Sequence, residues 1–154
     1  MTQSFPPTLI IRHRLENLKK CSLLGLNAPH LIFLSYPYKQ LPPLHGYLLL
    51  AVDAPPLTQE DAAYGLLLLD ATWRYTDKMT RAIEAEFQGP RRSLPGHFRT
   101  AYPRKQTGCP DPERGLASIE ALYLSYLLLG RSTEGLLDHY YWKDCFLTIN
   151  NLNI

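Results

Sequence analysis

The chain has 154 residues, a length that suits one domain with a single hydrophobic core. Hydrophobic residues make up 45% of it, which argues against wholesale disorder, and no run reaches the roughly 20 apolar residues that span a bilayer. The net charge is only +2, and the first residues have neither the basic start nor the apolar stretch of a signal peptide. We therefore expect a cytoplasmic protein that does not enter the membrane.

Short apolar runs separated by proline-containing segments predict four strands, at residues 9–12, 31–36, 48–52 and 66–69. The last two runs are apolar throughout, which is typical of strands buried on both faces of a parallel sheet. Between them, residues 58–61 (TQED) have the pattern of a helix cap and first turn.

Three helices are predicted after residue 70. The first shows a repeat of three or four positions through Trp73, Thr76, Met79, Ile83 and Phe87. The second is expected over residues 116–129, where Gly130 ends it, and the third over residues 136–149. Strands that alternate with helices indicate an α/β fold with a mainly parallel sheet flanked by helices.

Positive charge is concentrated in two segments. Residues 91–114 carry six basic and two acidic side chains, and residues 1–20 carry four basic and one acidic. The first segment lies in a long connection, residues 90–115, and loops of that length are usually functional or disordered. Such segments favour an anion-binding surface, although a solvated arginine-rich loop has the same composition. The candidate RNA-binding residues are Arg12, Arg14, Lys19, Lys20, Arg91, Arg92, Arg99, Arg104 and Lys105.

The sharpest local feature is residues 66–73 (LLLLDATW), where an apolar strand ends on Asp70. Ligands of parallel sheets bind beyond the carboxyl ends of the strands, so Asp70 is a candidate for binding a cationic or amine-bearing ligand. The alternative is that Asp70 only caps the following helix. Trp73 has two interpretations as well, a pocket wall or a core residue, and Tyr102 either stacks on a base or anchors its loop.

Several site classes lose their usual support. The five histidines have no metal-binding spacing, and the three cysteines form no CxxC pair, so we expect no metal site and no disulfide framework. The chain has no GxGxxG, Walker A or GxSxG motif.

Five segments in order resemble a known family. They are residues 19–22 (KKCS), 69–73 (LDATW), 92–95 (RSLP), 117–123 (ASIEALY) and a tail with 141–143 (YWK), 146–147 (FL) and Asn150. Together they resemble the small-subunit ribosomal RNA aminocarboxypropyltransferases. They also resemble the related DTW-domain tRNA-uridine aminocarboxypropyltransferases, whose motif corresponds to residues 70–73.

The resemblance implies a SPOUT-like α/β fold whose C-terminal half contains a trefoil knot that binds S-adenosylmethionine. Within one domain, residues 1–45 would contact RNA and residues 46–154 would form the knotted cofactor-binding part of a monomer. The implied reaction transfers a 3-amino-3-carboxypropyl group to a uridine or pseudouridine in rRNA, or in tRNA, and releases methylthioadenosine.

The resemblance also assigns residues. Asp70 would lie near the cofactor's amino-acid side chain and is a candidate general base, and Trp73 would close an apolar pocket around the methyl group. The implied cofactor-binding residues are Ser22, Asp70, Trp73, Leu94, Tyr102, Leu116 and Ser118. Two alternatives remain open: a knotted RNA methyltransferase, and a non-catalytic RNA-binding factor for ribosome assembly.

Overall fold

A computed structural model describes most of the chain. The described residues are 5–13, 30–36, 41–51, 54–70, 73–101 and 116–152, with the backbone alone at 73, 74 and 76. No helix in these ranges is long and apolar enough to cross a membrane.

Five strands form one sheet in which every pair is parallel. The strands are β1 (Thr8–His13), β2 (Leu31–Tyr36), β3 (Tyr47–Leu50), β4 (Gly65–Asp70) and β5 (Arg91–Arg92). Their spatial order is β2-β1-β4-β3-β5, so β1 and β4 are central and β2 and β5 lie at the two edges. The predicted α/β fold with a mainly parallel sheet is confirmed.

Three α-helices and a single 3₁₀ turn complete the described elements. The helices are α1 (Trp73–Glu84), α2 (Ser118–Leu129) and α3 (Lys143–Ile149). The 3₁₀ turn spans Gln59–Asp61, and the Thr58 side chain caps it by accepting a hydrogen bond from the Glu60 N–H. The cap predicted at residues 58–61 is therefore present, although it begins a 3₁₀ turn rather than an α-helix.

Helices cover both faces of the sheet, which explains why the central strands are apolar throughout. One face packs against α1. Its buried residues are Leu9, Ile11, Tyr47, Leu49 and Leu67 from the strands with Met79, Ile83 and Phe87 from α1 and the turn after it. The other face packs against α2 through the alternate strand residues. Its strand residues are Ile10, Leu31, Leu48, Leu66 and Leu68.

The third predicted helix is wrong over residues 136–142. Successive turns occupy this stretch, with Leu136 N–H donating to the Thr133 carbonyl and Asp138 N–H to the Gly135 carbonyl. Gly135, directly before this stretch, has a φ of +79°, a left-handed conformation typical of turns. Leu136 and Leu137 are both buried within these turns.

The long connection predicted at residues 90–115 begins with an edge strand that the sequence did not indicate. Leu49 N–H donates to the Pro90 carbonyl at 3.0 Å and Ala51 N–H to the Arg92 carbonyl at 2.8 Å, which pairs β5 with β3. Arg91 and Arg92 lack the alternating apolar pattern that predicts a strand. They are part of the sheet because their backbone pairs with the edge of β3.

Candidate active site

Asp70 is the last residue of β4 and lies at the carboxyl edge of the sheet. The parallel register places Arg12 of β1 opposite Asp70, and the Arg12 Nε donates to Asp70 Oδ2 at 2.9 Å. From the other side, the Ser118 hydroxyl donates to Asp70 Oδ1 at 2.5 Å. The residue is only 6% exposed, so the carboxylate is nearly buried and held at both oxygens.

These two contacts connect three elements that are far apart in the chain. Arg12 lies 58 positions before Asp70, and Ser118, the first residue of α2, lies 48 positions after it. Neither partner belongs to α1, so the role of Asp70 is not confined to capping that helix. Arg12 and Ser118 thus fix a carboxylate whose charge is opposite to that of an ammonium group, which is the chemistry that binding such a group requires.

A second carboxylate, Glu120, organises the loop beside the site. It is fully buried, and its two oxygens accept hydrogen bonds from four donors. The donors are the Thr100 hydroxyl (2.6 Å), the Ala101 N–H (2.8 Å), the Ala117 N–H (2.8 Å) and the Tyr140 hydroxyl (2.9 Å). Glu120 thereby fixes residues 100–101 against the start of α2.

Sequence reasoning did not single out Glu120. The available signal was a lone acid in an otherwise apolar helix (SIEALYLSYLLL), because a buried charge is retained only where partners satisfy it. The identity of those partners depends on tertiary contacts.

Half-buried apolar residues end β3, follow β5 and precede α2 on the α2 side of the sheet, the side on which Asp70 contacts Ser118. Leu50 ends β3, Leu94 follows β5, and Leu116 precedes α2; all three are half-buried and pack against the α2-side core. Ala101, fixed by Glu120, belongs to the same set. Among the predicted cofactor-binding residues, the structure brings Asp70, Leu94, Leu116 and Ser118 to one edge of the sheet.

The predicted RNA-binding arginines are divided among several places. Arg12 pairs with Asp70 in the site. Arg92 is held by the buried Asp61, with Nε 3.2 Å from Oδ2, and Arg91 pairs with Glu84 at 2.9 Å.

Arg99 is exposed, and its backbone exchanges two hydrogen bonds with the Asn150 side chain. Among the described members of this set, the structure places Arg12 at the carboxylate. An RNA-binding role for the other three remains a prediction.

Some predicted site residues lie outside the described ranges. They are Ser22 and Tyr102 for the cofactor, and Arg14, Lys19, Lys20, Arg104 and Lys105 for RNA. For Trp73 the backbone begins α1, three residues after Asp70. Among the described residues, no group of three or more His, Cys, Asp or Glu side chains has the arrangement of a metal site.

Comparison with known proteins adds one solved structure. No family model matches the chain, and no curated protein matches it. A structure described as the SAM-dependent rRNA:acp-transferase Tsr3 from Vulcanisaeta distributa superposes with a TM-score of 0.67, covering 96% of this chain and 79% of the other.

The two proteins share a fold. Their sequences are 21% identical, so the similarity is one of architecture, and it extends over nearly the whole chain. It agrees with the family whose motifs the sequence resembles.

Proposed function

We propose that this protein is an S-adenosylmethionine-dependent enzyme that transfers an aminocarboxypropyl group to RNA. The observation that carries the proposal is the shared fold, because a structure described as an S-adenosylmethionine-dependent rRNA aminocarboxypropyltransferase aligns with 96% of the chain. The motif segments quoted from the sequence support the same activity independently of the fold comparison.

The residues at the carboxyl edge fit this cofactor. S-adenosylmethionine carries a sulfonium, an ammonium group and an apolar-faced adenine, and it supplies carbon atoms that the sulfonium activates toward nucleophilic attack. Asp70 offers a nearly buried carboxylate for a cationic group. Leu50, Leu94 and Leu116 offer half-buried apolar surface for the adenine on the same side of the sheet.

Asp70 is best suited to bind and orient. Arg12 and Ser118 hold its two oxygens in fixed directions, and fixed charges of this kind determine which carbon of a bound ligand faces the nucleophile. The general-base role that the resemblance allows would add proton removal from the base nitrogen. We propose orientation as the main contribution of Asp70, with Trp73 enclosing the methyl group.

The finer parts of the proposal come from the resemblance. We propose that the target is a uridine or pseudouridine of rRNA rather than tRNA, that a trefoil knot of the SPOUT type forms the cofactor site, and that the protein acts as a cytoplasmic monomer. The exposed Arg99 side chain is available to RNA phosphates, and Arg91, also exposed, would exchange its ion pair with Glu84 for a phosphate.

The test is to incubate the purified protein with S-adenosylmethionine and total RNA and to identify the small product by mass spectrometry. Methylthioadenosine is the expected product. S-adenosylhomocysteine would show a methyltransferase, and RNA binding without either product would show a non-catalytic factor. A control without RNA separates transfer from spontaneous breakdown of the cofactor.

A further inference from the structure

The edge strand β2 exposes two large apolar side chains at adjacent positions. Ile32 is 41% exposed and Phe33 is 38% exposed, and neither belongs to the core on its side of the sheet. Their neighbour Leu31, by contrast, is buried in the α2-side core. Phe33 therefore contributes little to the packing of the core.

Arg12 lies against the Phe33 ring. Its guanidinium carbon lies 5.0 Å from the centre of the Phe33 ring, within cation–π distance. Phe33 is paired with Ile10 in the parallel register, so it lies on the same face of the sheet as Ile10 and Arg12. The same guanidinium donates to Asp70.

Four side chains therefore form a continuous row from the edge of the sheet to α2. The row runs from Phe33 to Arg12, then to Asp70, then to Ser118, with successive contacts of 5.0, 2.9 and 2.5 Å. The exposed aromatic end lies two contacts away from the carboxylate of the candidate active site. A ligand held on Phe33 would lie beside that site.

We propose that Phe33 and Arg12 form a stacking platform for an unpaired base of the RNA substrate. An aromatic ring with a guanidinium against it is the combination that holds single-stranded bases, because every base has a π-face and the cation adds attraction for phosphate and base oxygens. The hydrogen bond from Arg12 to Asp70 uses the Nε, and a guanidinium carries further N–H donors on its terminal nitrogens. The choice of RNA as substrate rests on the proposed function.

The platform distinguishes unpaired from double-stranded RNA. Bases of a double-stranded RNA are stacked on one another, and the deep, narrow major groove of the A-form helix does not admit a side chain to them. The platform therefore selects a loop, a bulge or an extruded nucleotide. A protein partner that added to this edge strand would cover both of its faces, and with them Ile32 and Phe33, whereas a stacked base contacts the Phe33 face alone.

The experiment measures the affinity of a fluorescein-labelled 12-mer of oligouridylate by fluorescence anisotropy, without cofactor. Phe33→Leu keeps an apolar side chain but removes the ring, and we expect binding about tenfold weaker than wild type. Phe33→Trp keeps the ring and is expected to bind at least as tightly as wild type. The matched control is Ile32→Ala, the equally exposed neighbour on the opposite face of the strand, which should stay within about twofold of wild type.

Equal affinity of Phe33→Leu and wild type would overturn the platform, and so would an equal loss for Ile32→Ala. A second measurement does not depend on any variant: wild type should quench the fluorescence of 2-aminopurine placed at the centre of the oligonucleotide, as stacking requires, and unchanged emission in the bound complex would also overturn it.

S-adenosylmethionine affinity, measured by calorimetry on the same proteins, separates this proposal from the proposed function. We expect Phe33→Leu to bind the cofactor as wild type does. If wild type binds RNA through Phe33 but neither binds nor consumes the cofactor, the platform stands and the proposed activity fails. If wild type forms methylthioadenosine while Phe33→Leu binds and modifies RNA normally, the activity stands and the platform fails.

Discussion

The two ends of the sheet each hold a largely buried arginine, and the two arginines are held in different ways. At the carboxyl end, Arg12 pairs with the carboxylate of Asp70. At the amino end, Arg131 donates to the carbonyl oxygens of Ala62 and Tyr64, and its guanidinium carbon lies 3.6 Å from the centre of the Phe5 ring. Each partner of Arg131 is a neutral group.

The difference indicates what each end contributes. Arg131 follows Gly130, whose φ of +77° ends α2, so its positive charge lies at the negative end of the helix dipole. Its hydrogen bonds to Ala62 and Tyr64 join the end of α2 to the loop before β4. Burial lowers the pKa of Arg131, while nearby Tyr126 opposes that shift. Arg12, by contrast, orients a charged strand end where parallel sheets bind ligands. The contacts of Arg131 at the amino end join elements of the fold, and under the proposed function the carboxyl end binds the cofactor.

The largest expected effect is on stability, from Glu120→Ala. The change removes a carboxylate that accepts four hydrogen bonds, and hydrogen bonds to charged groups contribute about 1.5–3 kcal/mol each, so we expect a loss of at least about 3 kcal/mol in the free energy of unfolding. Guanidinium denaturation measures it. Glu134→Ala, an exposed glutamate, is the control and should change stability by less than about 0.5 kcal/mol. Equal losses in the two variants would contradict the role assigned to Glu120.

The next effect separates the two arginines. Arg131→Ala leaves two carbonyls without a donor and opens a gap against Phe5, so we expect about 2 kcal/mol lower stability with unchanged cofactor affinity. Lys143→Ala serves as the control. It removes an exposed ion pair, with 3.9 Å between the Lys143 Nζ and the Asp138 Oδ1, and should lower the free energy of unfolding only slightly. A weaker affinity for S-adenosylmethionine in folded Arg131→Ala would contradict the separate roles assigned to the two ends of the sheet.

The third prediction concerns Asp70→Asn, which keeps the size of the side chain and removes its charge. Under the proposed function, S-adenosylmethionine affinity should fall about tenfold, or about 1.4 kcal/mol, by isothermal titration calorimetry. Asp77→Asn, an exposed aspartate in α1, should bind as wild type does. Unchanged affinity in Asp70→Asn would remove Asp70 from the cofactor site.

The smallest effect is a pH dependence at the amino end. Burial first, and the charge of Arg131 second, lower the pKa of His30 below its ordinary value of 6.5. The unfolded chain therefore binds this proton more readily, so stability is complete above about pH 6.5 and decreases as the pH falls through the folded-state pKa. Thermal unfolding between pH 7.5 and 5 should show a shallower decrease in His30→Gln than in wild type. An identical decrease in both would contradict the assignment.

Local patterns were enough to predict four of the five strands and two of the helices. The apolar runs at residues 48–52 and 66–69 overlap β3 and β4, since strands covered on both faces admit few polar residues. The helix prediction was wrong over residues 136–142, because the buried residues of this stretch are held by a series of turns that begins beside Gly135.

The contacts within the candidate site could not be predicted from local sequence patterns. Asp70 could be predicted because a strand delivers it to the carboxyl edge, whereas its pairing with Arg12 depends on the register of β1 against β4, two strands that lie more than fifty positions apart. Glu120 and Phe33 each look ordinary in sequence. Their roles follow from donors and a cation brought to them by other elements.

The most direct test of the central claim uses two labels of the same cofactor. RNA is incubated with the protein and S-adenosylmethionine labelled with ¹⁴C either at the carboxyl carbon or at the methyl carbon, and the label retained in RNA is counted. The account predicts incorporation from the carboxyl-labelled cofactor alone, with a strong decrease in Asp70→Asn and none in Asp77→Asn. Incorporation from the methyl-labelled cofactor, or full incorporation in Asp70→Asn, would contradict it.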